Sequence, residues 1–259
     1  KATNLKEVKQ VIDGYDVDIF YMDSKIKRIL DFLKDKGLYE DTAVIVTSDH
    51  GENLGELGIY SEHATADEIT TRIPMIVKWP DCKSGRTDKG LHYHLDLLPT
   101  LADLLGSKPY EKWDGQSYAK ALKDGTDCGR DYLVLSQCAH VCQRSVRFGD
   151  YIYIRTYHDG FHLFEKEMLF NLKEDYHEQR NLAKDRPDLC ADACRYLVDW
   201  NQDMLMTADS DADPLWTVML EGGPFHAKGN LKQYIKRLEA TGRAEGARLL
   251  RERHPEEFR

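Results

Sequence analysis

The chain has 259 residues, of which 41% are hydrophobic and 31% are charged, the balance of an ordinary globular protein. Its formal net charge is -9 at pH 7, which argues against a nucleic-acid partner because phosphate contacts need clustered lysine and arginine. No apolar run approaches the roughly 18 residues that a transmembrane helix needs. We therefore expect a globular domain or two, without a membrane span.

Six cysteines are present, and the members of two pairs, Cys138/Cys142 and Cys190/Cys194, lie four positions apart. A structural zinc site would need such pairs to converge on a tetrahedron, and their spacing is looser than the usual C-x-x-C. We expect mostly free thiols, with a disulfide or a structural metal as the alternatives. Free thiols favour a reducing compartment, although a cytoplasmic and a periplasmic location both stay open.

The first half of the chain alternates between a long apolar periodicity and short apolar runs. Apolar residues from Val8 to Leu33 recur at steps of three and four, which predicts one long helix that ends at Gly37. The short runs are typical of strands buried on both faces of a parallel sheet. This order of elements predicts an α/β domain over residues 1–125. The two runs are Thr42–Thr47 and Ile73–Trp79, and a short helix over Asp96–Leu105 follows them.

The sequence pattern changes near Lys123–Gly129, where we place the boundary to a second part over residues 126–259. Short runs of β-branched and aromatic residues between turn residues predict a small antiparallel sheet, and helical periodicities follow it. The predicted strands are Leu133–Cys138, Gln143–Phe148, Tyr151–Tyr157 and His162–Asn171, and the predicted helices run from about Pro187 to Met206 and from about Leu231 to Arg253.

Asp49 and His50 follow directly after the first predicted strand. Open α/β sheets place their binding sites at the carboxyl ends of strands. A carboxylate oxygen suits a hard cation, and an imidazole can join it. The local pattern alone leaves two interpretations open, namely a metal site, or an Asp49 that caps a helix beside a surface histidine.

Several short motifs, in the same order, resemble those of the sulfatase family in the alkaline phosphatase superfamily. The resemblance spans residues 1 to about 185. It implies part of an alkaline-phosphatase-like mixed sheet flanked by helices, followed by a small antiparallel sheet with helices. The motifs are the second metal-binding motif at Thr47–Gly58, the Arg-x-Pro strand at Arg72–Pro80, the helix at Leu95–Leu101, and the late strand and turn at Leu169–Leu172 and Arg180–Ala183.

The resemblance implies hydrolysis of a sulfuric ester by a formylglycine nucleophile with a divalent metal, most often calcium. Asp49 and His50 would be two of the metal ligands. The other ligands and the nucleophile would lie in an N-terminal half that this chain does not contain. The implied partners are therefore that half and a sulfated small molecule or sulfated glycan. We expect the chain alone to be inactive and expect it to bind its other half or to form homo-oligomers.

The nucleophile motif of the family, Cys/Ser-x-Pro/Ala-x-Arg, does not occur in this sequence. The nearest match is Cys82-Lys83-Ser84-Gly85-Arg86, which has serine at the third position. Ser24–Arg28 differs at the same position and lies inside the first predicted helix. We therefore assign neither segment as the nucleophile.

His63 occupies a position where the family usually has a lysine that contacts the sulfate, nine residues before Arg72 of the Arg-x-Pro strand. An imidazole at this position can donate a hydrogen bond to sulfate or protonate the leaving oxygen. We predict this role for His63, with a plain loop histidine as the alternative. The missing lysine weakens the expected preference for sulfate over phosphate.

The remaining histidines carry weaker predictions. His158, His162 and His226 are candidates for lining a substrate pocket, although nothing in their local sequence decides it. We expect structural roles for His92 and His94, which precede the Asp96–Leu105 helix.

Two other functions compete with a sulfatase. A phosphomonoester or phosphodiester hydrolase of the same superfamily also presents Asp-His-Gly after a buried strand, often with two transition metals. A non-catalytic accessory or degenerate domain fits a chain without a nucleophile. The identity of the missing nucleophile separates the two hydrolases, since a phosphatase uses Thr or Ser in another context.

Overall fold

The computed structural model describes residues 4–82, 85–209 and 212–258 of the chain. Its helices and strands, in chain order, are α1 (Leu5–Asp35), β1 (Val44–Thr47), β2 (Asn53–Leu54), β3 (Tyr60–Glu62), α2 (Glu68–Thr71), β4 (Met75–Lys78), α3 (Leu97–Leu104), α4 (Ala119–Lys123), β5 (Tyr132–Gln137), β6 (Cys142–Phe148), β7 (Tyr151–His158), β8 (Glu167–Asn171), α5 (Pro187–Thr207), α6 (Pro214–Leu220), α7 (Leu231–Ala240) and α8 (Ala244–Arg253).

The chain divides into two compact units. Unit 1 comprises Lys1–Gly55 and Arg72–Leu133, and unit 2 comprises Glu56–Thr71 and Val134–Arg259. Unit 2 thus includes one segment from the first half of the sequence. Because that segment contains His63, the predicted site residues are divided between the units, with Asp49 and His50 in unit 1.

The long first helix is confirmed as α1. Asn4 caps it, since its side-chain oxygen accepts a hydrogen bond from the backbone N–H of Glu7 at 3.0 Å. None of its residues is buried, and large apolar side chains such as Phe20 and Val17 are 77% and 64% exposed. Among the described helices, none is both long enough and apolar enough to cross a bilayer.

The two strands of unit 1 pair with each other in the antiparallel direction. Val44 lies opposite Lys78, and Thr47 lies opposite Met75. The prediction of parallel strands buried on both faces is wrong for this pair, because β1 is only half-buried and Ile76 of β4 is 63% exposed. A short apolar run shows that both faces of a strand are apolar, but it contains no signal for the direction of the neighbouring strand.

The predicted Asp96–Leu105 helix is confirmed as α3. Asp96, which is fully buried just before it, accepts hydrogen bonds from the backbone N–H groups of Tyr93 and Gln116 and from Nη2 of Arg130, each at 2.7 Å. The guanidinium supplies the opposite charge that a buried carboxylate needs. Asp96 therefore ties two later segments of unit 1 to the start of this helix.

The predicted antiparallel meander is confirmed in unit 2 as a four-stranded sheet with the order β5-β6-β7-β8. Phe148 and Tyr151 face each other across a tight turn, and β8 pairs antiparallel with β7. The fourth strand is shorter than predicted and begins at Glu167, not at His162. The core against the sheet is apolar and includes Val141, Ile152, Ile154, Met168 and Phe170.

The helix predicted from Pro187 is confirmed as α5, but the tail prediction is wrong in one respect. The predicted single helix over Leu231–Arg253 is two helices, α7 and α8, which pack against each other around a second apolar core. Gly242 lies between them with φ of 75°, and the backbone N–H of Arg243 returns to the carbonyl of Leu238 at 2.8 Å. This is a helix C-terminal turn that needs a left-handed residue.

Replacing Gly242 with alanine is expected to lower the free energy of unfolding by about 1 kcal/mol, because a Cβ is strained at positive φ. Urea unfolding followed by circular dichroism measures the change. The matched control is Gly246→Ala inside α8, where a new Cβ would meet only the side chains of Leu163 and Leu238, at 3.7 and 3.9 Å. That control should be neutral or stabilising, and an equal loss in both variants would contradict the assignment of the turn.

All six cysteines are free thiols, as predicted. Cys142 and Cys190 are buried, and the other four are half-buried. The hydroxyl of Tyr153 lies 3.3 Å from Sγ of Cys194, so one residue of the second pair takes part in packing between β7 and α5.

Candidate active site

Asp49 and His50 lie in the loop that follows β1 in unit 1. The Asp49 side chain is 89% exposed, and the His50 side chain is 39% exposed. Oδ1 of Asp49 accepts a hydrogen bond from the backbone N–H of His50 at 3.0 Å, and Oγ of Ser48 donates to the His50 carbonyl at 3.2 Å. These short local bonds fix the loop, so both side chains are held at the strand end without being buried.

One contact fixes the tautomer of His50. Its Nδ1 lies 2.8 Å from the carbonyl oxygen of Gly51. A carbonyl oxygen can only accept, so Nδ1 carries the hydrogen and the lone pair of the neutral ring lies on Nε2. Histidines that bind metals are usually oriented in this way, with the other ring N–H donated to a carbonyl or carboxylate.

The donor atoms of this loop fit a shared cation. Nε2 of His50 lies 3.8 Å from Oδ2 of Asp49. Two ligands of one cation lie about 3–4 Å apart when each bond is about 2.0–2.6 Å long. A carboxylate oxygen of Glu52 is a third potential ligand, within 4.8 Å of a ring nitrogen of His50. Glu52 is part of the motif that resembles the sulfatase family, although the sequence did not single it out as a ligand.

His63 lies in unit 2, directly after β3. Its carbonyl accepts a hydrogen bond from Nε2 of Gln137 at 2.7 Å. Its ring meets the ring of His140 edge-on, with 5.7 Å between the centroids. His63 is therefore held on both its backbone and its ring by the end of β5 and the loop that follows.

His140 stands at the centre of a group of imidazoles. It stacks on His226 with 4.3 Å between the ring centroids and an angle of 16°. Its Nε2 lies 3.7 Å from a carboxylate oxygen of Glu62. Burial lowers the pKa of His140, the two neighbouring histidines lower it further, and Glu62 opposes them. His140 is therefore neutral at pH 7.

The backbone that follows His63 is fastened to the sheet of unit 2. Oε1 of Gln143 accepts a hydrogen bond from the backbone N–H of Ala66 at 3.0 Å. Oε1 of Glu178 accepts one from the backbone N–H of Glu68 at 2.8 Å, and Arg147 pairs with the Glu68 carboxylate at 3.3 Å. These contacts come from residues 75 or more positions away in sequence, so they hold α2 and its preceding loop by tertiary structure.

Glu178 has an unusual environment for a carboxyl group. It is 3% exposed, and its Oε2 has no hydrogen-bond partner within the described part of the chain. Burial, followed by the nearby carboxylate of Asp67, raises the pKa of Glu178 to about 9. Glu178 is therefore a neutral acid at pH 7, and this was not visible in the sequence.

The other candidates are placed as follows. Nε2 of His92 lies 3.0 Å from a carboxylate oxygen of Asp88, in agreement with the structural role that we predicted. Of the segment nearest to the nucleophile motif, Lys83 and Ser84 lie outside the described residues, and Arg86 donates to the carbonyl of Leu122 at 2.5 Å. His158 packs beside His254, with 4.9 Å between the ring centroids.

Comparison with known proteins finds matches to sulfatases. The sequence profile of the sulfatase family matches residues 1–107. A sulfatase of Formosa agariphila is 28% identical over 159 residues, which is 61% of this chain and 31% of that relative. An N-acetylglucosamine-6-O-sulfatase of Bacteroides thetaiotaomicron is 26% identical over 238 residues, 86% of this chain and 40% of the relative. The chain is therefore similar to sulfatases, most clearly over its first 107 residues.

A similar fold is found among solved structures. A Bacteroides thetaiotaomicron structure assigned as a sulfatase matches with a TM-score of 0.69 and 25% identity, over 82% of this chain and 48% of that one. The predicted fold class, part of an alkaline-phosphatase-like mixed α/β fold with a small antiparallel sheet, is confirmed by this likeness.

The resemblance reaches beyond sulfatases within the superfamily. A multifunctional alkaline phosphatase superfamily protein of Trinickia caryophylli is 30% identical over 121 residues, 46% of this chain and 23% of that relative. The chain spans less than half of the length of each of the relatives named here.

Proposed function

We propose that the protein carrying this chain hydrolyses sulfate esters, with a formylglycine nucleophile and a divalent metal, calcium, and that Asp49 and His50 are two of the metal ligands. The match of residues 1–107 to the sulfatase family and the similarity to two sulfatases support the reaction. The observation that carries the site is the orientation of His50, whose Nδ1–H faces the Gly51 carbonyl while its Nε2 faces Asp49 at 3.8 Å. Metal-binding histidines usually have this orientation, with one ring N–H donated to a carbonyl and the other nitrogen left for the cation.

Asp49, His50 and His63 would have different roles in the reaction. Asp49 and His50 would hold the cation, which supplies Lewis-acid polarisation of the sulfuryl oxygens when it is bound. His63 would donate a hydrogen bond to the sulfate group or a proton to the leaving alcohol oxygen. A histidine performs both tasks at neutral pH, whereas a lysine in the same position is a stronger and more permanent charge.

Further ligands and the nucleophile would come from another part of the same protein. Unit 1 supports this proposal, because α1 has no buried residue, and Phe20 and Ile76 are 77% and 63% exposed. Exposed apolar side chains gathered on one unit are typical of an interface. The companion surface is the N-terminal half that the family resemblance implies, and a second copy of the chain is the alternative occupant.

Hydrolysis of a phosphate or phosphonate ester is the second candidate. His63 in place of the usual lysine favours it, together with the likeness to a multifunctional member of the alkaline phosphatase superfamily.

The substrates of the first candidate are sulfated small molecules or sulfated glycans, since the relative from Bacteroides thetaiotaomicron is an N-acetylglucosamine-6-O-sulfatase.

The test compares this chain with the full-length protein that carries it, each with calcium and with EDTA. Hydrolysis of 4-nitrophenyl sulfate and 4-nitrophenyl phosphate is measured by absorbance. We expect sulfate hydrolysis only by the full-length protein in calcium. Preference for the phosphate would establish the second candidate, and activity of the chain alone would place the nucleophile within it. Inactivity of every sample on both esters would favour a non-catalytic domain.

A further inference from the structure

Two cysteine pairs in unit 2 have the same spacing in sequence but different surroundings in the fold. Cys138 directly follows β5 and Cys142 begins β6, so they lie on the two sides of a short loop between neighbouring strands. Their thiols are hydrogen-bonded to each other. Cys190 and Cys194 lie one turn apart on α5. We name the first two residues the hairpin pair and the other two the helix pair.

The thiols of the helix pair have partners elsewhere. Sγ of Cys190 donates to the carbonyl of Ala183 at 3.7 Å, and Sγ of Cys194 lies 3.3 Å from the hydroxyl of Tyr153. Residues four positions apart on a helix have Cβ atoms about 5–6 Å apart, whereas a disulfide needs about 3.5–4.5 Å. The helix pair therefore cannot be bridged without distorting α5, and it is an internal control with the same spacing as the hairpin pair.

The loop between the two cysteines of the hairpin pair is fixed by the fold. The backbone N–H of Ala139 donates to Oε1 of Gln137 at 2.9 Å, and the carbonyl of Ala139 accepts from the backbone N–H of His226 at 3.0 Å. Gly160 packs so closely on the loop that an added Cβ would collide with the carbonyl of His140. Because the loop is already ordered, little further conformational entropy is lost when the two sulfur atoms are joined.

The two thiols of the hairpin pair differ in exposure and in acidity. Cys138 is half-buried, and Cys142 is fully buried. The hydrogen bond from Cys142 lowers the pKa of Cys138 to about 7; the charge of Arg144 aids this shift, and burial and Asp213 oppose it. The same hydrogen bond, together with burial, raises the pKa of Cys142. Cys138 is therefore about half thiolate at pH 7, compared with a few per cent for a thiol at the usual pKa of about 8.5.

We propose that the hairpin pair is an oxidation site, at which a low-molecular-weight disulfide such as glutathione disulfide converts the two thiols into an intramolecular disulfide. The Cys138 thiolate attacks one sulfur of glutathione disulfide, forms a mixed disulfide and expels one glutathione thiolate. That thiolate takes the proton of Cys142, whose sulfur then attacks Sγ of Cys138 and expels the second glutathione. The proton that Cys138 had released completes the second glutathione thiol.

The step balances without a further reactant. Two cysteine thiols are oxidised to one disulfide, and one glutathione disulfide is reduced to two glutathione thiols. The ester hydrolysis proposed above plays no part in it, so the oxidation site stands or falls independently of that reaction.

Oxidation would act on the loop that carries His140. This residue lies between the two cysteines, and its ring meets that of His63 with 5.7 Å between the centroids. The new bond shortens the separation of the two sulfur atoms from hydrogen-bond contact to about 2.05 Å, so the loop tightens. The redox state of the hairpin pair is thereby coupled to the position of His140.

Peptide mapping tests the oxidation site. Trypsin places the hairpin pair on one peptide, residues 131–144, and the helix pair on another, residues 185–195. The full-length protein is incubated with glutathione disulfide at pH 7, its remaining thiols are alkylated, and the peptides are analysed by mass spectrometry. We expect the first peptide to lose two hydrogens and to resist alkylation, about tenfold or more faster than the second, because a thiolate attacks a disulfide and a protonated thiol does not. Equal oxidation of the two peptides, or no oxidation of the first, would overturn the proposal.

Variants assign the two roles. Cys142→Ser should retain glutathione on Cys138, because the second thiol is missing, whereas Cys138→Ser should carry no glutathione at Cys142. Cys142→Ala repeats the first test without a polar group in the core, and circular dichroism checks that each variant is folded. Cys194→Ser, the matched control, should form the hairpin disulfide at the rate of the wild type. A glutathione adduct on Cys142 in place of Cys138 would contradict the assignment.

A second measurement follows the loop itself. The ring protons of His140 are observed by NMR before oxidation, after oxidation, and after reduction with dithiothreitol. We expect their signals to shift on oxidation of the wild type, to return on reduction, and to stay unchanged in Cys138→Ser. Unchanged His140 signals in a wild-type protein whose first peptide is oxidised would show that the disulfide does not act on this loop.

Discussion

Replacing Asp49 with alanine is expected to lower sulfate-ester hydrolysis by the full-length protein about 10³-fold or more, because a cation site contributes several kcal/mol of transition-state stabilisation. The fold should be unaffected. The Asp49 side chain is 89% exposed, and the bond we describe for it is local, to the backbone N–H of His50. Activity and stability are therefore expected to separate in this variant.

The controls distinguish loss of a ligand from damage to the loop. Asp49→Asn keeps an oxygen that accepts from His50 and should retain more activity than alanine, whereas Asp41→Ala, at another exposed aspartate of unit 1, should retain all of it. A readout that needs no turnover is terbium luminescence of the chain alone, competed with calcium. Unchanged terbium binding in Asp49→Ala would show that this residue is not a metal ligand.

The sequence was sufficient to predict the position of Asp49 and His50, because the signal is local. A short apolar run followed by Ser-Asp-His-Gly places both side chains at a strand end, and the structure puts them directly after β1. The orientation of His50 was beyond prediction, since it depends on a 2.8 Å contact between a ring nitrogen and the next carbonyl. The metal assignment stays a prediction until binding is measured.

The group of imidazoles around His140 had no comparable signal in the sequence. His63 was found through its position relative to Arg72, whereas His140 and His226 lie 77 and 163 positions after it. His226 was a candidate only because it is a histidine, and His140 was not a candidate at all. Contacts between distant loops depend on tertiary packing, which local pattern does not contain.

The errors in the fold prediction have the same origin. The predicted strand direction was wrong because the apolar composition of β1 indicates which of its faces are buried, but not whether the neighbouring strand runs parallel or antiparallel to it. The tail helix was predicted as continuous because the apolar period of α7 resumes in α8, although Thr241-Gly242 reverses the chain between them. A glycine within a helical period is compatible with both outcomes, and packing of α7 on α8 decides between them.

Replacing Glu178 with glutamine is expected to stabilise the chain at pH 7. The pKa of Glu178 is raised from 4.5 to about 9, so the native state keeps a proton that the unfolded state releases. Taking up this proton at pH 7 costs about 3 kcal/mol, at about 1.4 kcal/mol for each pH unit above the unfolded pKa. Glutamine is neutral without a proton, and its Oε1 can still accept from the backbone N–H of Glu68.

The sign of the pH dependence follows from the same linkage. Below pH 4.5 both states carry the proton, so the contribution of Glu178 to stability is complete, and it is lost as the pH rises towards 9. Urea unfolding at pH 5.5, 7.0 and 8.5 should therefore show Glu178→Gln gaining over the wild type by a growing margin. Glu178→Ala should be less stable than Glu178→Gln, because the Glu68 N–H then loses its acceptor. Glu174→Gln, at an exposed glutamate nearby, should change little at any pH. A difference in unfolding free energy between Glu178→Gln and the wild type that stays constant with pH would mean that Glu178 is ionised in the native protein. In that case a carboxylate, not a neutral acid, would accept the hydrogen bond from the backbone N–H of Glu68 at the start of α2.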